Sequence, residues 1–266
     1  MVSPTLSLSL STRDGMILAN GDPFIIKGAT WWGAESSAAL PGGLRERSLD
    51  DIVTFVTTHG FNAIKLPVLH QHALFNRPIP ATSFDPRLNP FLLNGAGGAS
   101  APPISYLEML LVVARRAAAR GVVVWLTADS AERLWYSRSI DEDTVRDSWS
   151  ALSRQLCSQW NIVGVDLKNK PSLGSWGMDE PTDWNRAAER LGDHVLTLCP
   201  RWIIAVQGVG QHPGAKQTEE DEFGAQVNPT LPPVTPVPPP DHPLGIPSKS
   251  PPLHHPLSIT PSPSPP

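Results

Sequence analysis

Sulfur and tyrosine are scarce in this sequence, with two cysteines and two tyrosines among 266 residues. Cys157 and Cys199 lie far apart, in segments that read as helical, and neither has metal-ligand spacing. They read as small buried apolar residues rather than as a bridge, and no metal or cofactor is expected. No run approaches the ~18 apolar residues of a membrane span. No basic cluster is longer than Arg115-Arg116, and the formal net charge is −4. Those two facts argue against nucleic acid as a partner, and no membrane partner is expected. Met1 to Ser11 alternates Ser with Leu without a basic start or a continuous apolar core, so it does not read as a cleaved signal. Localisation stays open.

What the chain has in excess is proline. Of 30 prolines, 16 fall between Val227 and Pro266, a stretch also rich in Ser and without apolar periodicity. Such a tail cannot offset its ordering entropy by burial and is expected to be disordered. Pro233 to Pro240 is a candidate ligand for a domain that binds Pro-rich motifs, although a plain linker is the simpler reading. The expected organisation is an N-terminal extension over 1–13, a folded domain over 14–210, a polar linker over 211–226 and the tail over 227–266.

Within 14–210, strands and helices alternate. Met16 to Leu18 and Phe24 to Gly28 flank an Asn20-Gly21 turn and predict an N-terminal hairpin. The second arm runs on to Gly33 as a first barrel strand. Helices are predicted over 44–59, 104–120, 141–160 and 182–198, with Thr182 as an N-cap. Apolar strands are predicted at 62–67, 122–126, 162–167 and 202–208. The connection from His70 to Ala101 reads as a long loop with solvated His70 and His72. This repetition predicts an α/β fold with a parallel sheet. Gly28 to Gly33 does not supply the phosphate turn of a doubly wound sheet. An incomplete (β/α)₈ barrel of about five βα units is therefore expected.

In such a barrel, chemistry sits at the carboxyl ends of the strands. The strand Ile162 to Leu167 runs into Asn169-Lys170-Pro171 there. Trp31, Trp32, Trp135, Tyr136 and Trp176 fall at strand ends or in loops on the same face, where aromatic rings either stack on sugars or pack beneath loops. Trp125, Trp160, Trp184 and Trp202 fall inside elements and are expected in the core.

These residues resemble glycoside hydrolase family 5, the cellulase family. The resemblance rests on an ordered set over roughly residues 14–210: Ile25-Ile26-Lys27-Gly28 with Trp31-Trp32-Gly33 and Glu35, Gly60-Phe61-Asn62-Ala63-Ile64-Lys65-Leu66-Pro67, Leu134-Trp135-Tyr136, Val163-Gly164-Val165-Asp166-Leu167 with Asn169 and Pro171, Trp176-Gly177, Asp183-Trp184 and Gly208-Val209. It implies a TIM barrel that hydrolyses β-1,4-glucans with retention, in a family that is usually secreted. A Glu after strand four serves as acid/base and a Glu after strand seven as nucleophile, ~5–5.5 Å apart.

Several positions depart from the family pattern. Lys170 stands where Asn-Glu-Pro has its acid/base, so catalytic impairment is expected. Leu126-Thr127-Ala128-Asp129 replaces Leu-Asp-x-His, Lys65 replaces the Arg of Arg-Leu-Pro, and Gln207 replaces the Glu of Glu-Gly-Val. The barrel alternation stops after about the fifth strand, and the Glu222-Phe223-Gly224 echo of the nucleophile motif reads as chance. Asp129 and Lys170 are expected to pair. The resemblance implies Asn169 beside Lys170 at the catalytic position, and Lys65, Asp129, Gln207 and the aromatic residues Trp31, Trp32, Trp135, Tyr136 and Trp176 as substrate-binding. The alternatives are a non-catalytic carbohydrate-binding or interaction protein and a non-functional gene fragment.

Overall fold

The computed structural model describes residues 8–94 and 101–209. Two sheets are present among them. The first is antiparallel, β1 (Leu10–Arg13), β2 (Met16–Ala19) and β3 (Asp22–Pro23) in that order. The expected hairpin is therefore a three-stranded sheet whose first strand lies inside the supposed N-terminal extension. Asp14-Gly15 makes the additional turn, with φ of 53° and 75°, the left-handed geometry of a tight hairpin.

The second sheet is parallel and runs β4 (Gly28–Thr30), β5 (Ala63–Val68), β6 (Val123–Ala128), β7 (Ile162–Asp166), β8 (Ile203–Ala205) in sequence order. Alternation along each strand sorts its side chains to two faces. Ile64, Leu66, Val68, Val124, Leu126 and Val165 are at most 1% exposed and pack beneath the helices. Lys65, Trp125 and Gly164 share one level of the opposite face, with Pro67, Thr127 and Asp166 one level nearer the carboxyl ends. At the amino ends, Ala63, Val123 and Val163 pack with Leu10, Phe24 and Ile26, so the N-terminal sheet closes that end of the strands.

Among the described residues, five α-helices cover the outer face: α1 (Leu49–Thr58), α2 (His70–Phe75), α3 (Tyr106–Ala118), α4 (Glu142–Leu156) and α5 (Trp184–Leu198). Their starts follow capping chemistry. Ser48 Oγ accepts from Asp51 N at the start of α1, Ser105 and Glu108 form a capping box on α3, and Asp141 accepts from Thr144 N on α4. Element ends differ from the sequence expectation by a few residues, and two of these differences have a visible cause. Residues 44–48 form a turn because buried Asn89 accepts from Leu49 N and donates to Leu44 O. The N-cap of α5 is Asp183, not Thr182. The loop predicted from His70 begins with α2, and His70 is buried rather than solvated.

The cysteine expectation is also corrected. Cys157 and Cys199 form a disulfide with Cα atoms 5.7 Å apart. Each is the C-cap of a helix, α4 and α5 respectively. A repeating βα unit returns successive helices to the same end of the sheet, which places their last residues side by side. Trp184 and Trp202 are buried as expected, whereas Trp125 and Trp160 are only partly so.

Among the described residues no helix is long and apolar enough to cross a membrane, and no group of His, Cys, Asp and Glu could hold a metal. The chain divides into two units, Met1–Val227 and Asn228–Pro266. The Pro-rich tail, its candidate ligand segment and Glu222-Phe223-Gly224 lie outside the described residues.

Candidate functional site

Asp166 ends β7 on the face away from the helices, and its side chain is 4% exposed. Three donors converge on Oδ2: Lys65 Nζ at 2.9 Å, Thr127 Oγ1 at 2.9 Å, and Gln207 Nε2. They come from β5, β6 and the residue pair after β8. A carboxylate removed from water requires such donors, because an unpaired buried charge costs several kcal/mol. Oδ1 is buried and has no hydrogen-bond partner among the described residues.

The turn after Asp166 is tied to both neighbouring strands. Asn169 Nδ2 donates to Asp129 Oδ2 at 3.1 Å, and Asn169 N donates to Ala128 O at 2.8 Å. Gln207 Nε2 donates to Asn169 Oδ1 at 3.1 Å, and Gln207 Oε1 accepts from Lys170 N at 3.0 Å. Lys170 is exposed and has φ of 52°, a left-handed conformation in a residue other than Gly. Its carbonyl accepts from Ser172 N at 2.7 Å across Pro171. The expected pair between Asp129 and Lys170 is not among the ion pairs of the described residues. Asp129 bonds Asn169, and the salt bridge of this mouth joins Lys65 to Asp166.

Asp129 and Lys168 form the second electrostatic unit. Burial raises the Asp129 carboxyl above its ordinary range, against the pull of Lys168 and Asn169. Burial lowers the Lys168 ammonium, opposed by Asp129, Asp166 and Glu132. Lys168 is 2% exposed, with Ser130 Oγ 3.3 Å from Nζ.

The aromatic residues divide by exposure. Trp32 is 52% exposed and offers an open ring. Trp31 is half-buried and donates Nε1–H to Gly42 O. Trp176 and Tyr136 are partly buried against the core. Trp135, expected on the glucan-facing surface, is 3% exposed. It donates to Glu142, meets Tyr136 edge to face and lies tilted against Trp184, because the loop carrying it folds over α4 and α5. Its role in the structure is packing.

The structure thus brings together Lys65, Asp129, Asn169, Lys170 and Gln207 from the expected set. Sequence reasoning passed over Asp166 and Lys168. The missing signal was parity: Asp166 is two residues from Gly164 and so shares its face, one level above Lys65 on the neighbouring strands.

Comparison with known proteins bears on this arrangement directly. The family model for cellulase (glycosyl hydrolase family 5) matches residues 17–231. The chain belongs to glycosyl hydrolase family 5. Its relatives include an endoglucanase of Paenibacillus polymyxa, 30% identical over 197 residues that cover 71% of this chain and 47% of the relative. The major extracellular endoglucanase of Xanthomonas campestris pv. campestris is 30% identical over 221 residues, covering 79% and 43%. The solved catalytic domain of the major Xanthomonas endoglucanase superposes with a TM-score of 0.68 at 29% identity, over 79% of this chain and 60% of that one. A cellotetraose complex of an endocellulase from Pyrococcus horikoshii gives 0.68 at 28%, over 77% and 58%.

The family and barrel-type architecture expected from the sequence are thereby established. The chain spans about half the length of the curated relatives it matches. In this family 5 member, the five parallel strands among the described residues carry a polar mouth, with Lys170 in the turn that follows β7.

Proposed function

We propose that the family 5 barrel portion, spanning 14–210, binds β-1,4-glucan at the carboxyl ends of its strands and that its hydrolytic step is impaired. The observation that carries this reading is Asn169-Lys170-Pro171 at the tip of β7. Asn169 and the backbone of the turn are held by Asp129, Ala128 and Gln207. A sugar-facing platform therefore persists, with the open ring of Trp32 on a neighbouring loop. What the tip lacks is a carboxyl group at position 170. A general acid accelerates glycoside cleavage by about 10²–10⁴-fold, and an ammonium serves poorly unless its pKa approaches the working pH. Relatives that are endoglucanases and an endocellulase solved with cellotetraose support a cello-oligosaccharide as the ligand.

The experiment pairs affinity electrophoresis in carboxymethyl cellulose with a reducing-sugar assay on the same polymer. Retardation without sugar release supports the reading, and sugar release by the unmodified chain overturns it. A gain of release on Lys170→Glu locates the impairment at this residue.

A further inference from the structure

Gln207 ties together three residues of this mouth. Its side chain makes three polar contacts at once: Nε2–H to Asp166 Oδ2, Nε2–H to Asn169 Oδ1, and Oε1 from Lys170 N. Its own carbonyl accepts from Trp184 Nε1 at 2.8 Å, which anchors the backbone on α5. These partners fix the orientation of the amide. Reversed, it would present oxygen to the Asp166 carboxylate and to the Asn169 carbonyl, and an N–H to the N–H of Lys170.

The polarity then runs in one direction across the mouth. Lys65 and Gln207 donate to Asp166, Gln207 donates to Asn169, and Asn169 donates to Asp129. Only a group that both donates and accepts can stand at 207. A carboxylate there can accept from Lys170 N but has no proton for Asp166 or Asn169, and it adds a negative charge beside Asp166.

We propose that Gln207 is the positioning residue of the glucan-binding mouth, its amide holding the Asn169–Lys170 tip against Asp166 in a way a charged Glu at 207 cannot. The inference rests on the glucan-binding reading for its ligand and on the hydrogen-bond directions for its mechanism. The charged residues at this position are Asp166 from β7, Lys65 from β5 on the same carboxylate oxygen, Lys170 through its backbone N–H, and Asp129 through Asn169. Trp184 is the partner from α5.

Gln207→Glu keeps the shape and exchanges the amide for an acid, so its effect must depend on pH. Protonation restores a donor and removes the like charge. The test compares Gln207→Glu and Gln207→Met with the unmodified chain at pH 8 and pH 5, by retardation in carboxymethyl cellulose and by thermal melting. At pH 8, Gln207→Glu is expected to bind about tenfold more weakly, as loss of a buried polar pairing implies. At pH 5 the deficit should shrink to within about twofold. Gln207→Met should be weakened equally at both.

A Gln207→Glu chain that melts cooperatively only at pH 5 supports the proposal. A Gln207→Glu chain matching the unmodified chain at both pH values, or impaired equally at both, overturns it. If the unmodified chain is not retarded at all, the glucan-binding reading fails. The pH dependence of the melting difference then decides the role of Gln207: a difference that closes at pH 5 supports it, and one that does not overturns it.

Discussion

Lys65 and Asp166 show how one residue's burial obliges another's identity. Asp166 is nearly inaccessible, while the Lys65 side chain keeps a third of its exposure. Removing the cation leaves a buried carboxylate with two neutral donors. Lys65→Met should therefore lower stability by about 2 kcal/mol, discounted from a fully buried pair because Lys65 remains partly solvated. Adding Asp166→Asn should recover part of that loss, and urea unfolding of the two single variants and the double variant measures it. His70 supplies a pH dependence. It is buried against Trp149, with Nδ1 2.7 Å from Ser148 Oγ and Nε2 without a partner among the described residues. Burial first, and the charge of Lys168 second, lower its pKa from 6.5 to about 4. The unfolded chain therefore binds the proton more readily between those values. Stability is complete above pH 6.5 and falls as pH drops toward 4, by about 3 kcal/mol in all. Melting temperatures from pH 7 to pH 4 should show the decline, and His70→Gln should remove most of it. Neither feature could be read from the sequence. The imidazole looked solvated because what buries it, α4, is 78 residues away.

Among the elements, β5, β6 and β7 were legible because strands buried on both faces read as continuous apolar runs. The polar tips of the same strands were legible as a site because charge interrupts those runs. Boundaries set by distant side chains were not. The turn before α1 depends on Asn89, and α2 depends on packing against α4. The disulfide belongs with these, since it exists only because α4 and α5 end at the same place. It encloses β7, the Asn169–Lys170 tip and α5, with a sequence separation of 42 between the paired positions. Closing a loop of that length stabilises by about 4 kcal/mol in the chain-entropy account. Reduction with dithiothreitol should lower the melting temperature by about 10 °C for a domain of this size, as scanning calorimetry would record.

At the scale of the molecule, five parallel strands closed at one end by the N-terminal sheet present a polar mouth at the other. The ordered motifs of family 5 were legible across most of this region, and the departures at positions 65, 129, 170 and 207 proved to be mostly neighbours. What the sequence could not reveal was how they replace one another's interactions: Gln207 and Asn169 bridge two carboxylates, and Asp129 engages Asn169 instead of Lys170. We propose that this mouth retains recognition of a glucan while its cleavage is impaired. Incubation of the purified chain with cellotetraose at saturating concentration, with binding followed by calorimetry and products by chromatography in the same sample, tests it most directly. The expected result is a binding isotherm with intact cellotetraose throughout. Accumulation of cellobiose or glucose in that sample would contradict it.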